Sequence, residues 1–272
     1  MSTDRRSHRA RVLRVGEEEQ ARVDDHLAAE EPLELRVDGK ALTVMMRTPG
    51  HDAELALGFL FGEGIIRRRA DVTAVTPIPN GEHPDLQNVV DLQLDPSAPG
   101  VDRRWQRNFL SASSCGLCGV SSIEAIHRSA PPLEEPTWQV DPETLYGLDA
   151  KLRAEQAVFS RTGGLHAAGL FTREGNAVVV REDVGRHNAV DKVVGVAVER
   201  GLLPLDEHIL MVSGRTSFEI VQKALQARIP ILVSVSAPSS LARDLAQASN
   251  QTLIGFLRGQ HLNVYAGRRR LR

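Results

Sequence analysis

An α/β protein in two parts is what this sequence predicts, and three observations predict it. From about Glu31 onward, short alternating segments surround one run with helical spacing. Residues 127–141, "HRSAPPLEEPTWQVD", are rich in proline and lack periodicity. Beyond them, short β-rich runs alternate with amphipathic stretches, which implies right-handed βαβ units and a largely parallel sheet. The 272 residues are 42% hydrophobic and 25% charged, enough to bury a substantial core. A formal net charge of −2 gives no overall field for nucleic acid or a membrane surface. No stretch approaches the roughly 18 consecutive apolar residues of a transmembrane helix.

The elements follow in chain order. Residues 1–28 open on "MSTDRRSHRARVLRV", basic and without the apolar core of a secretory signal, and read as a disordered, solvated tail. Residues 29–135 read as a small α+β domain. "PLELRVDGKALTVMMR" gives two strands joined at Asp38 and Gly39, a hairpin signal. "DAELALGFLFGEGII" carries Leu55, Leu57, Phe59 and Leu60 at helical spacing and stops at Gly62 and Gly64. "NVVDLQL" is a further strand, and 127–141 is the expected linker. Residues 136–272 form the second domain: strands at 176–183, 208–214 and 230–237, each followed by a helix (185–201, 216–229 and 239–250), then "TLIGFLRG" and "HLNVYAG" as closing strands.

In such sheets ligands sit beyond the carboxyl ends of the strands, where loops enter helix N-termini. Those loops are distinctive here: Glu182 to Asn188 with Arg186 and His187; Ser213, Gly214, Arg215, Thr216 and Ser217; and Ser236 to Ser240. Small and hydroxyl residues let a backbone approach closely, and arginine holds phosphate in a bidentate fork. Arg258, in "GFLRGQ", ends a further strand. Any single loop is accounted for by helix capping through Asp183, Ser213 or Ser239; three of one kind on one edge favour an anionic, phosphate-bearing ligand. Neither a P-loop nor a G-x-G-x-x-G is present. Before these strands, "FSRTGGLHAAGLF" places Gly163 and Gly164 ahead of His166.

Cys115 and Cys118 are the chain's two cysteines, in "SASSCGLCGVSSIEAI". Two thiols are half of a structural zinc site, and His127, His166 and His187 lack the paired spacing that would complete it. Zinc deaminases join H-x-E to a later P-C-x-x-C; here Ala168 stands where the glutamate belongs, and the pair lies upstream with Ser114 in place of proline. No metal site is therefore expected. A thioredoxin-like exchanger expects its pair just after an early strand. Ser121 and Glu124 form a capping box, which puts both sulfurs near the positive end of a helix, where thiolate is favoured. Flanking glycines and a neighbouring second thiol suit a group that is received and passed on, in a reducing cytoplasm.

"RNFLSASSCGLCG", "SRTGGLHAAGLF", "REDVGRHNAVDKVVG", "SGRTSFEIVQKA" and "SAPSSLARDLA", in this order, closely resemble the formate dehydrogenase accessory sulfurtransferase family (FdhD), over about Glu31 to Tyr265. The resemblance implies a sulfur carrier that takes persulfide sulfur from a cysteine desulfurase. The carrier delivers it to the molybdenum cofactor in its bis-guanine-dinucleotide form, for formate dehydrogenase. It also implies a homodimer, and a second domain of cytidine-deaminase-like three-layer α/β/α architecture. Cys115 matches the persulfide-bearing position and Cys118 its partner, which either resolves the persulfide or relays sulfur. The cofactor face then comprises Gly163, Gly164, Arg186, His187, Ser213, Gly214, Arg215 and the run Phe256, Leu257, Arg258, Gly259, Gln260 and His261. Competing readings are a chaperone that holds the cofactor without transferring sulfur, and a zinc-dependent hydrolase.

Overall fold

The computed structural model describes residues 4–16, 20–79, 88–100 and 130–272. Three sheets are present among them. The first is an antiparallel hairpin of β1 (Ser7–Val15) and β2 (Gln20–Ala28). The second has the order β4-β3-β6-β5, from β3 (Glu31–Val37), β4 (Lys40–Arg47), β5 (Val72–Ile78) and β6 (Val89–Leu94). Its β3–β4 turn has φ of 50° at Asp38 and 75° at Gly39, the double positive φ that a tight hairpin requires and that Asp-Gly tolerates.

The third sheet has six strands: β7 (His166–Thr172), β8 (Ala177–Asp183), β9 (His208–Val212), β10 (Ile231–Ser234), β11 (Thr252–Arg258) and β12 (His261–Ala266), ordered β12-β11-β10-β9-β7-β8. Only β9, β10 and β11 pair in parallel; β7 and β12 run antiparallel to their neighbours. This corrects the largely parallel expectation. The short β7–β8 and β11–β12 turns can join only antiparallel partners, because a parallel return needs a crossover.

Both faces of this sheet are covered. Leu210, Val212, Leu232 and Leu253 face α5 (Arg186–Glu199), α6 (Phe218–Gln226) and α7 (Ser240–Ala248), in a cluster that also holds Leu33, Leu35 and Leu92 of the second sheet. Ile209, Met211, Ile231 and Val233 face Leu145 of α2 (Pro142–Tyr146) and Leu148 and Leu152 of α3 (Leu148–Ala154). Strands buried on both faces read as continuous apolar runs, which is how they were visible in the sequence. A short α4 (Ala157–Thr162) leads into β7. Helix α1 (Asp52–Gly62) lies against α5 so closely that a Cβ on Gly58 would sit 1.8 Å from the Asp191 carbonyl oxygen, and one on Gly195 would sit 1.8 Å from that of Glu54. Parts 29–135 and 136–272 therefore share one apolar cluster.

Two further expectations are corrected. Residues 7–15 and 20–28 pair as antiparallel strands where a disordered tail was expected: Val12 opposes Val23, and Arg9 reaches Asp24 at 2.6 Å. Opposite charges distributed across two strands neutralise what a charge count reads as solvated coil. The proline-rich stretch is tied to the second part along its described length. Leu133 N–H donates to Ser249 O, Val140 pairs with Leu271, and Arg228 donates to the carbonyls of Pro131 and Pro132. Among the described residues no helix is long and apolar enough to cross a membrane.

Candidate functional site

Strand directions bring one edge together. Because β7 is antiparallel to both β8 and β9, the carboxyl ends of β8, β9, β10 and β11 and the start of β7 all meet there. His166 pairs with Asp183 across β7 and β8, and Ser213 Oγ accepts from Ala167 N–H at 2.8 Å while Ser213 N–H donates to Ala167 O. Gly214 lies under the His166 ring, where a Cβ would be 3.1 Å from Nδ1. Burial, reinforced by repulsion from Arg186, His187 and Arg215, holds the His166 imidazole below its ordinary value despite Asp183, so it is neutral near pH 7.

Capping no longer explains all three loops. Ser239 does cap α7, accepting from Ala242 N–H at 3.2 Å. Helices α5 and α6 start without a side-chain cap. Their first turns and positive dipole ends lie on this edge, flanked by Arg186 and the exposed Arg215. Among the described residues, Arg186 Nε is buried without a partner. These groups suit an anion's oxygens.

The node that holds the edge is Asp183, fully buried. Its Oδ2 lies 2.7 Å from Lys192 Nζ and accepts from Thr48 N–H at 3.1 Å; its Oδ1 accepts from Gly185 N–H and Asn188 Nδ2. Lys192 also donates to Thr48 O, and Thr48 Oγ1 accepts from Val184 N–H. The loop after β4 is thereby bolted to the end of β8. A sequence reading sees only a polar cluster in "REDVGRHNAVDK", because the pairing of residues 135 apart in sequence is not written locally.

His187 is turned inward, 6% exposed. Its Nε2 is 2.9 Å from both Glu219 Oε2 and Ser217 Oγ. A nitrogen donating its proton to the Glu219 carboxylate cannot take one from Ser217, so this is a positioning contact and not an activated hydroxyl. The 256–261 run divides. Leu257 packs in the second apolar cluster and is an anchor, not a surface contact. Phe256, at φ 54° and 38% exposed, and Arg258, Gly259, Gln260 and His261 face solvent. A register shift between Gly255 and Arg258 produces this alternation break. Phe256 N–H donates to Ser236 O, which ties the run to the third loop.

Gly163 and Gly164 line a cavity of about 300 Å³ together with Arg153, Gln156, Phe159, Leu165, His166 and Ser213. Arg153 and Gln156 were missed in the sequence, where they fall in a stretch without motif or period. Cys115 and Cys118 lie outside the described residues. Among the described residues no group of three or more His, Cys, Asp or Glu is placed to hold a metal.

A mixed α/β scaffold whose strand ends gather arginines and helix starts on one edge defines the class. The profile of the FdhD/NarQ family matches residues 28–272, and the chain belongs to that family. Among similar proteins, the sulfur carrier protein FdhD of Streptomyces coelicolor is 49% identical over 265 residues, covering 96% of this chain and 94% of that one. That of Mycobacterium tuberculosis is 51% identical over 247 residues, 88% of this chain and 89% of that one. A crystal structure from Desulfotalea psychrophila, described as a formate dehydrogenase accessory protein, superposes with a TM-score of 0.80 at 24% identity over 98% of this chain and 100% of that one. At that identity the likeness bears on the fold.

Proposed function

We propose that the protein is a cytoplasmic sulfur carrier that passes persulfide sulfur from a cysteine desulfurase to the molybdenum cofactor in its bis-guanine-dinucleotide form, on behalf of formate dehydrogenase. The observation that carries this is the strand-end face: two uncapped helix starts and three arginines, in a chain about half identical to proteins named sulfur carriers. The cofactor is the substrate, and its pyrophosphates suit Arg186, Arg215 and Arg258 around Gly214. The second part is assigned a cytidine-deaminase-like arrangement and the protein a homodimeric state, both on the family resemblance.

In this reading the Cys115 thiolate attacks the terminal sulfur of the donor's persulfide. A new S–S bond forms on Cys115, the donor's S–S bond breaks, and the donor cysteine leaves as thiolate. If Cys118 resolves the product, its thiolate attacks Cys115 Sγ, expels the terminal sulfur as sulfide and leaves a Cys115–Cys118 disulfide, which a dithiol reductant reopens.

Formate dehydrogenase activation in cells lacking the native gene tests the assignment. Cys115→Ala is expected to abolish it, and Arg215→Ala combined with Arg258→Ala to reduce it strongly. Full activation by Cys115→Ala with loss in the arginine variant would replace sulfur transfer by a cofactor-holding chaperone.

A further inference from the structure

Helix α1 ends without a cation of its own. Its last turn holds no lysine or arginine, although the carbonyls there form the negative end of the helix dipole. Lys223 of α6 takes that place from across the junction. A Cβ on Gly62, the last residue of α1, would lie 3.0 Å from Lys223 Nζ, and the ammonium stands 5.7 Å from the centroid of the Phe59 ring one turn earlier. The same Nζ is 2.7 Å from Oδ1 of Asp191 on α5, a residue 2% exposed. Burial works against this ammonium, but Asp191, Glu63 and Glu219 outweigh it and raise its pKa, so it stays charged.

The charges around Lys223 do not balance. Glu63 follows Gly62 at the end of α1 and is half-buried. Helix α5 contributes Asp191 and, one turn earlier, His187; α6 contributes Lys223 and, one turn earlier, Glu219, which His187 meets at 2.9 Å. Among the described residues, three carboxylates from three helices therefore surround one ammonium, with a single imidazole on Glu219. Glu63 is the worst placed of the three, because it sits at the negative end of its own helix and Asp191 already engages the ammonium. Burial raises its carboxyl above the ordinary value; Lys223 opposes the rise, and repulsion from Asp191 and Glu219 adds to it. Two residues further on, Ile65 O accepts from Gly100 N–H at 3.2 Å, an anchor ahead of the stretch that carries Cys115 and Cys118.

We infer that Glu63 is a proton-operated latch on this junction, holding the end of α1 against Lys223 and α6 while it carries a proton. When the proton leaves, a third carboxylate charge faces one ammonium, and the end of α1 loosens together with the anchor between Ile65 and Gly100. The inference does not depend on the sulfur-carrier reading; it adds a pH-sensitive contact to the chain just ahead of the cysteines. The direction follows from linkage. A carboxyl whose folded pKa lies above its unfolded value of 4.5 contributes stability that is full below pH 4.5 and is lost as pH rises through the folded value.

Hydrogen exchange of the full-length protein, read by mass spectrometry at about pH 5, 7 and 9 and corrected for intrinsic exchange rates, tests this. The proteins are wild type, Glu63→Gln and Glu143→Gln, the last making the same charge change at the exposed start of α2. In wild type, the protection of peptides spanning residues 60–66 is expected to fall about tenfold or more between the lowest and highest pH, the size of a one-unit pKa difference. Glu63→Gln should match wild type at the lowest pH and keep its protection at the highest, where its urea midpoint should exceed that of wild type. Glu143→Gln should follow wild type throughout. Equal loss of protection in wild type and Glu63→Gln would overturn the latch, as would wild-type protection that does not change with pH. Protection kept at the highest pH by Glu143→Gln as well would assign the effect to net charge and overturn it too.

Discussion

Asp183 and Lys192 carry the strongest prediction at the scale of the residue. Both are buried, and Asp183 accepts four hydrogen bonds from groups on three segments. Removing one member of such a pair strands the other's charge, so Lys192→Met is expected to destabilise the fold by about 3–5 kcal/mol in urea unfolding. A loss below about 1 kcal/mol would mean the three remaining donors suffice for the carboxylate. The motif that holds them was legible, because "REDVGRHNAVDK" is plainly unusual, but its structural half was not. Whether Asp183 caps a helix, binds a ligand or anchors Thr48 depends on a partner 135 residues earlier. The same limit hid Gln156, a lone amide whose meaning lies in the cavity around it. It also hid the burial of Leu257, which sits beside exposed residues in the chain and within a register shift of the strand.

Helices and strands were the level at which the sequence spoke most clearly. Periodicity placed α1, α5, α6 and α7 and strands β8 to β12 to within a few residues, since each buries a continuous or alternating apolar set. What periodicity does not encode is strand direction, and so the antiparallel β7 and β12 went unread. Nor does it encode how near two helices come. Gly58 and Gly195 let α1 and α5 touch backbone to backbone. Gly195→Ala would force a methyl into the Glu54 carbonyl, and overpacking of this kind costs about 1–3 kcal/mol. Backbone is the obstacle here, so the upper end is expected as a lowered urea midpoint. Gly147→Ala, whose Cβ would meet nothing nearer than 3.9 Å, is the control and should stay within about 0.5 kcal/mol.

At the scale of the whole molecule, the two parts are joined by charge as well as by a common core. Arg181 of β8 grips Glu54 of α1 with two hydrogen bonds, at 2.6 and 2.8 Å. Burial alone would raise the Glu54 pKa, but Arg181 and His51 outweigh it and pull it from 4.5 down to about 2. A carboxylate depressed in the folded state contributes stability that is present above its unfolded value and lost as pH falls through its folded one. Acid should therefore loosen the junction between about pH 4.5 and 2, and Arg181→Met should move the acid-unfolding midpoint to higher pH; an unchanged midpoint would show the bridge to be dispensable. The change in rhythm along the chain was legible, whereas the common apolar cluster and the pairing of residues 7–15 with 20–28 were not, because both depend on contacts between segments. The central claim remains chemical and rests on Cys115. Intact-mass spectrometry after incubation with a cysteine desulfurase and cysteine, on wild type, Cys115→Ala and Cys118→Ala, addresses it directly. The account predicts a gain of one sulfur that disappears in Cys115→Ala. Three unchanged masses beside an active desulfurase would contradict it and leave a protein that holds its cofactor without transferring sulfur.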